Sequence, residues 1–160
     1  MSSLKKVTIK WLDPVMVAYL SITGHYTQIP TAFGKLYSWI SQKGYRPHGP
    51  AITVYYNIPG EVPDDQLHWE VCSALSGNVA ESAPDRDGLG VKLLGVAQVA
   101  TTMHTGPYDK VEETYEALLA WVAANGYEII GPLEELYFNE PAKTPPSELL
   151  TEIRCPVCKK

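Results

Sequence analysis

The sequence predicts an α+β fold in which two pseudo-symmetric strand-helix-strand-strand repeats form an antiparallel sheet with its helices on one side. Three observations support this fold class. The chain repeats itself at a fixed offset, each repeat holds one stretch with helical periodicity, and each holds several stretches with the composition of strands.

The internal repeat has an offset of 82 residues. Aligned without a gap, positions 17–70 and 99–152 share 17 identities, against the three or four, roughly, expected from ordinary amino-acid usage. The repeat is visible in "GYRPHGP" at Gly44–Pro50 and "GYEIIGP" at Gly126–Pro132. We therefore predict one domain over residues 1–160, made of two repeats at about 5–75 and 89–158. The polar stretch "SGNVAESAPDRDG" at 76–88 is the predicted linker.

One helix is predicted in each repeat. Apolar residues recur at spacings of three and four, which places them on one face of a helix; they are Ile29, Phe33, Leu36 and Ile40, then Val111, Tyr115, Leu118 and Val122. For the second helix, Asp109 is a plausible N-cap because Glu112 follows three residues later, and Asn125-Gly126 is a typical C-terminal stop.

Three strands are predicted in each repeat. "VMVAYLSITG" and "VAQVATTMHTG" are rich in β-branched residues and end at a glycine. After each helix, Gly-Pro leads into "AITVYYN" or "LEELYFN", and a Pro-rich connection leads into "LHWEVCSAL" or "LLTEIRCPV".

Composition excludes several classes of protein. The 160 residues are 45% hydrophobic, enough for one core. No apolar run is long enough for a spanning helix, and the start lacks the apolar stretch of a signal peptide, so we expect a cytoplasmic protein. Three cysteines do not form a disulfide framework, and a net charge of −5 without Lys/Arg clusters argues against direct contact with nucleic acid.

Strand alternation predicts which side chains share a face, since successive residues point to opposite sides of a sheet. We expect Ile52, Val54 and Tyr56, with Leu136 and Phe138, to lie beneath the helices. The other face would then carry Tyr55, Asn57, Glu135, Tyr137 and Asn139. On the last strands Leu67, Trp69 and Val71, with Leu149 and Ile153, form the apolar set, and Glu70 and Glu152 the opposite one. If the polar faces meet, aromatic walls surround two carboxylates.

These residues carry a resemblance to the GyrI-like family, also called the AraC effector-binding domain fold. It spans residues 5–158 and rests on "HTGPY", the "GYxxxGP" elements and the Glu of "TEIR". The resemblance implies tandem strand-helix-strand-strand modules with a ligand cleft between them, and in multidrug-sensing regulators of this type a last-strand carboxylate engages cationic aromatic drugs. Glu152 matches that position. The chain departs from those regulators in having no room for a DNA-binding helix-turn-helix.

The resemblance implies a stand-alone binder of lipophilic, often cationic, aromatic compounds, with no cofactor. Its ligand-binding residues would be Glu152, Glu70, Tyr55, Tyr137, Tyr108, Tyr19 and Trp69. A buried carboxylate and aromatic faces both favour a delocalised cation. The first alternative is a hydrolase of cyclopropane-bearing DNA-alkylating compounds, with Glu152 or Glu70 as base and Tyr55, Tyr137 or Tyr108 as proton donor. The second is an interaction protein acting on gyrase.

Two further motifs have competing interpretations. His104 could serve acid/base chemistry, or it could close a strand by bonding to backbone, which we favour. "CPVC" at Cys155–Cys158 has the Cys-x-x-Cys spacing of metal and redox sites. One such pair supplies two of the four ligands of a zinc site and lies away from a helix N-terminus, so we expect no metal site.

Overall fold

The computed structural model describes residues 6–57, 60–95 and 97–160. Their helices and strands, in chain order, are β1 (Thr8–Leu12), β2 (Val15–Thr23), α1 (Ile29–Gln42), β3 (Pro47–Tyr55), β4 (His68–Leu75), β5 (Leu89–Leu94), β6 (Ala97–Thr105), α2 (Glu112–Ala124), β7 (Tyr127–Ile129), β8 (Leu133–Tyr137) and β9 (Leu150–Lys159). The strand pairings are antiparallel, which with the two helices confirms the α+β class.

These residues form two compact units. The N-terminal unit is Pro14–Gly95, and the C-terminal unit combines the described residues up to Asp13 with Ala97–Lys160. The strand order is β3-β4-β2-β5 in the N-terminal unit and β1-β6-β9-β8 in the C-terminal unit, where β7 also pairs with β9.

The 82-residue offset holds at the level of elements. β2 and β6 begin and end 82 residues apart, and so do the single helical turns Tyr26–Gln28 and Tyr108–Lys110. Strand β1 corresponds by the same offset to residues 90–94, within β5. However, β1 pairs with β6 and β5 pairs with β2, so each unit contains the first strand of the other repeat. The compact units and the sequence repeats therefore have different boundaries.

Each helix covers one face of its own sheet. In the N-terminal unit Leu36 and Ile40 of α1 pack with Leu20, Trp69 and Val71. In the C-terminal unit Leu118 and Val122 of α2 pack with Ala100, Ile153 and Cys155. The predicted helical stripes are confirmed, because Ile29, Phe33, Val111 and Tyr115 also lie against these two cores.

Two local predictions need correction. Asp109 does not cap α2: it lies in a preceding helical turn, and the residue before α2 is Val111, which makes no side-chain capping bond. Strands β1 and β5, with the short β7, are additional to the predicted set. The predicted stop at Asn125-Gly126 is correct, since Asn125 ends α2 and Gly126 adopts a φ of 79°, a conformation that favours glycine.

No described helix is long and apolar enough to cross a bilayer.

Candidate functional site

Strand register decides which side chains lie beneath α1 in the N-terminal unit. Residues paired across an antiparallel ladder share a face. Tyr55 pairs with Trp69, and Val54 pairs with Glu70. Trp69 is fully buried in the core beneath α1, where its indole N–H donates to the Gly24 carbonyl. Tyr55 therefore lies on the helix side, and Glu70 lies on the opposite, helix-free face.

The C-terminal unit repeats this arrangement. Glu135 pairs with Ile153, and Leu136 pairs with Glu152. Because Ile153 belongs to the core beneath α2, Glu135 and Tyr137 lie on the helix side. Glu152 lies on the helix-free face.

The predicted face assignment of the middle strands is therefore wrong by one residue. Tyr55 and Tyr137 do not share a face with Glu70 and Glu152, and the apolar sets predicted to lie beneath the helices lie on the helix-free faces; these are Ile52, Val54, Tyr56, Leu136 and Phe138. The predicted faces of the last strands, with Trp69 and Ile153 opposite Glu70 and Glu152, are correct. The physical reason is that both faces of β3 and β8 are buried, so alternation does not reveal the helix side.

Glu135 is the centre of an aromatic cluster on the helix side of the C-terminal unit. The residue is 9% exposed, and its carboxylate accepts hydrogen bonds from the Tyr115 hydroxyl at 2.5 Å and the Tyr137 hydroxyl at 2.8 Å. The Tyr108 ring lies edge-on to Tyr137, with the centroids 5.5 Å apart. Burial, and secondarily the charge of Glu135, raises the pKa of Tyr108. We call these four residues the Glu135 cluster.

His104 fixes the segment that carries two of these tyrosines. Its Nε2 lies 2.9 Å from the Pro107 carbonyl oxygen and its Nδ1 lies 2.8 Å from Thr114 Oγ1. With the proton on Nε2, the ring donates to the carbonyl and accepts from the hydroxyl. The imidazole thus ties the end of β6 to the first turns after it, which position Tyr108 and Tyr115. This agrees with the backbone-bonding interpretation of His104.

Different donors surround Glu152 on the helix-free face. Its Oε2 contacts Thr101 Oγ1 at 2.7 Å, Lys10 Nζ at 2.9 Å and Arg154 Nε at 3.0 Å. Burial by itself would raise the pKa of Glu152, but the hydrogen bonds from Thr101 and Lys10 and the charge of Arg154 hold that pKa below its ordinary value.

Glu134 lies on the same face with weaker compensation. Its Oε1 is buried without a hydrogen bond from any described residue, and Arg154 Nη1 lies 4.0 Å away. Burial raises the pKa of Glu134, an effect that Arg154 partly offsets and Glu152 reinforces.

Glu70 occupies the equivalent place in the N-terminal unit. Its Oε1 accepts from the Tyr56 hydroxyl at 2.8 Å and contacts Lys92 Nζ at 2.5 Å. The same ammonium lies over the buried ring of Tyr19, 4.3 Å from its centroid. Burial raises the pKa of Tyr19, although the Lys92 charge opposes this.

Lys10 and Lys92 are themselves 82 residues apart, as are Glu152 and Glu70. The exchange of first strands therefore gives each unit one Lys-Glu ion pair, in which the glutamate is buried and the lysine is partly exposed. The sequence analysis did not single out the two lysines, Glu134, Arg154 or the hydrogen bond from Tyr115 to Glu135. The alternating patterns "TIKWL" and "GVKLL" are the signal that could have identified the two lysine-bearing strands.

The Cys-x-x-Cys pair lies entirely within β9. Cys155 and Cys158 are an odd number of positions apart, so their side chains point to opposite faces. Cys155 is buried, which raises its thiol pKa to about 11, and Cys158 donates to Glu128 at 3.3 Å, which raises its pKa. Among the described residues no group of three His, Cys, Asp or Glu side chains could hold a metal ion.

The fold is that of a class of α+β domains that bind small molecules. Residues 5–157 match the model of the GyrI-like small molecule binding domain, and the chain belongs to that family. This confirms the resemblance seen in the sequence.

Solved structures with this fold include the C-terminal domain of EcmrR, with a TM-score of 0.78, 22% identity and coverage of 99% of this chain and 100% of that one. The EcmrR chain in its complex with DNA gives a TM-score of 0.83 at 20% identity; the match covers 98% of this chain, which spans 59% of that longer chain. A hydrolase from Listeria innocua gives 0.73 at 16% identity, covering 98% and 94%.

SAV2435 bound to tetraphenylphosphonium gives a TM-score of 0.56 at 15% identity, covering 96% of this chain and 94% of that one. At these identities the similarity shows the fold alone. The comparison with curated protein sequences found no match.

Proposed function

We propose that this protein binds lipophilic cations with aromatic substituents at the Glu135 cluster. One observation carries the proposal: a buried strand carboxylate accepts two tyrosine hydroxyls, with a third tyrosine ring beside them. The ordinary cost of burying a carboxylate falls when a cation joins the site, and each aromatic face attracts a cation by about 0.5–2 kcal/mol.

The tyrosine hydroxyls suit a site that is alternately empty and filled. They stabilise the Glu135 carboxylate when no ligand is bound, because a hydrogen bond to a charged group contributes about 1.5–3 kcal/mol. A delocalised cation is weakly hydrated and costs little to desolvate, so it can share the carboxylate with the phenols. One structural neighbour is consistent with this class of ligand, since SAV2435 is bound to tetraphenylphosphonium.

Of the site residues predicted from sequence, the proposal retains Tyr137 and Tyr108 and adds Glu135 and Tyr115. The other ligand-binding roles stay predictions from the sequence. They are the roles of Glu152 and Glu70 as ligand carboxylates and of Tyr55, Tyr19 and Trp69 as aromatic contacts. Trp69 is fully buried and Glu152 already contacts two cationic side chains, which is why we favour Glu135.

The test is a calorimetric titration with tetraphenylphosphonium, with neutral triphenylphosphine oxide as the matched probe. We expect the cation to bind and Glu135→Gln to lower its affinity at least about tenfold, or 1.4 kcal/mol. Glu152→Gln is the control, since it makes the same change on the opposite face of the same sheet. Equal binding of the neutral probe, or loss of affinity only in Glu152→Gln, would refute the assignment.

A second candidate function is hydrolysis of a strained cyclopropane at the same cluster. The favouring observation is the 2.5 Å contact between the Tyr115 hydroxyl and Glu135, which places a proton donor beside a base. Glu135 would take a proton from water as the water oxygen bonds to a ring carbon. The ring bond breaks, and Tyr115 protonates the carbonyl oxygen that receives the electron pair. Glu135 then returns its proton to Tyr115 across their hydrogen bond.

Mass spectrometry of a cyclopropane-bearing alkylator after incubation with the protein separates the two functions. Turnover would add one water per molecule of substrate and would be lost in Glu135→Gln. Binding in stoichiometric amount without any hydrated product would remove the enzymatic candidate.

A further inference from the structure

A serine and a histidine are in contact on the helix-free face of the N-terminal unit. Ser21 Oγ lies 2.9 Å from His68 Nε2. In the ladder of β2 and β4, Ser21 is opposite Glu70 and His68 is opposite Thr23, so the two side chains are diagonal neighbours on one face. Both residues are partly exposed. With the proton on Nδ1, His68 accepts the Ser21 hydroxyl proton at Nε2, which is the arrangement of a nucleophile with its base.

His68 is held both at its ring and at its backbone. Its ring stacks on the ring of Tyr56, with the centroids 4.5 Å apart and the planes 17° apart. Its backbone N–H donates to the Asn57 side-chain oxygen at 2.6 Å. Tyr56 is fixed in turn, because its hydroxyl donates to Glu70. A base that is positioned before the reaction loses little entropy during it.

Tyr56 also offers an aromatic surface to a substrate. It is 39% exposed while its ring remains stacked on His68. An aryl group can therefore lie against this ring next to His68, which contacts the Ser21 hydroxyl; this indicates esters with an aromatic alcohol rather than charged substrates.

The other repeat shows that the fold does not require these side chains. The residues 82 positions later are Met103, Phe138 and Leu150, which are all apolar and partly exposed. They occupy equivalent positions, since Met103 is opposite Glu152 and the Phe138 N–H donates to the Leu150 carbonyl, as the Tyr56 N–H does to the His68 carbonyl. The same backbone accepts apolar residues at all three places, so the serine, histidine and tyrosine are not a requirement of the sheet.

We propose that Ser21 and His68 form an acyl-transfer site for small aryl esters, independent of the Glu135 cluster. Ser21 Oγ bonds to the ester carbonyl carbon as His68 Nε2 takes the hydroxyl proton. The carbon–oxygen bond to the phenol then breaks, and His68 returns that proton to the leaving oxygen. Water, deprotonated by His68, releases the acid and restores the serine hydroxyl.

The experiment uses the full chain and p-nitrophenyl acetate, with release of p-nitrophenol followed by absorbance and acetylated protein by mass. We expect Ser21→Ala to lower the release rate to that of an equal concentration of free imidazole. His68→Phe, which keeps a ring against Tyr56, should lower it roughly a hundredfold, the usual contribution of a general base. Ser38→Ala, at an exposed position of α1, is the matched control and should keep the wild-type rate.

A second measurement does not depend on the folding of a variant. Wild-type protein is treated with an alkyl fluorophosphonate, which loses fluoride to a nucleophilic serine, and the modified residue is located by tandem mass spectrometry. Modification at Ser21 is expected. Modification only elsewhere, or a release rate that Ser21→Ala leaves unchanged, overturns the proposal. Neither result bears on tetraphenylphosphonium binding, so this site and the Glu135 cluster are tested separately.

Discussion

Glu152 and Glu135 lie on opposite faces of the same antiparallel sheet in the C-terminal unit, and different donors meet their carboxylates. Glu152 contacts the cations of Lys10 and Arg154 and the Thr101 hydroxyl. Glu135 accepts the neutral hydroxyls of Tyr115 and Tyr137. The difference separates two uses of a buried charge: internal cations suit a permanent structural network, whereas phenol donors among aromatic rings suit an exchangeable cationic ligand.

The largest effect should come from removing the shared cation of the Glu152 network. Arg154→Met leaves Glu152 and Glu134 without the guanidinium that contacts both. Breaking a buried ion pair from one side costs about 3–5 kcal/mol of unfolding free energy, which urea denaturation would measure. Lys143→Met, in the exposed pair with Glu140, is the control and should cost less than about 1 kcal/mol. A similarly small loss for Arg154→Met would show that the network is not a stabilising unit.

The next effect is the pH dependence of the contribution that Glu152 makes to the free energy of unfolding. Because its folded pKa is depressed below the ordinary 4.5, the group contributes stability above that value and loses it as the pH falls through the folded pKa. Glu152→Gln should therefore destabilise the protein by about 1–3 kcal/mol at neutral pH, and the deficit should shrink in acid below pH 4.5. Urea denaturation across this pH range measures it. A deficit independent of pH would assign the cost to packing rather than to charge.

The contribution of Glu134 to the free energy of unfolding at neutral pH should have the opposite sign. Its raised folded pKa means that ionisation is penalised in the folded state, so the penalty is present at neutral pH and disappears as the pH falls below the ordinary value of 4.5. Glu134→Gln is expected to raise the unfolding free energy by about 1 kcal/mol at neutral pH, and to have little effect in acid. Destabilisation at neutral pH would mean that the contact with Arg154 outweighs the cost of burial.

The last effect belongs to the Glu135 cluster, where a change in stability should accompany a change in ligand binding. Tyr115→Phe removes one hydroxyl donor and should cost about 1–2 kcal/mol of stability. It should also raise the affinity for tetraphenylphosphonium, because the empty site loses a donor that stabilises its carboxylate. Tyr127→Phe serves as control, since that ring stacks on Trp121 and its hydroxyl makes no hydrogen bond to a described residue. If both variants bind the cation like wild type, Tyr115 does not act at the ligand site.

Much of the fold could be predicted because its signals are local. The identities at a fixed offset predicted the duplication, the spacing of Leu36 and Ile40 predicted the buried face of α1, and Asn125-Gly126 predicted the end of α2. The predicted faces of the last strands were also correct, because Trp69 and Ile153 alternate with the two glutamates and only one side there is strongly apolar.

The candidate site was harder to predict from the sequence, because its geometry depends on residues that are distant along the chain. Tyr55 and Tyr137 were placed on the wrong face because β3 and β8 are buried on both sides, and a shift of one residue exchanges the faces. Lys10 was missed because its strand pairs with the second repeat rather than with its own.

The sequence by itself determined the duplicated α+β architecture, since this follows from helical and strand periodicity and from identities at an 82-residue offset. Only the tertiary structure decided that the first strands are exchanged, that Glu135 lies beneath α2 with the tyrosines, and that Glu152 is neutralised by Lys10 and Arg154. Side-chain alternation defines two faces of a strand, but which face a helix covers depends on long-range pairing that no local pattern contains.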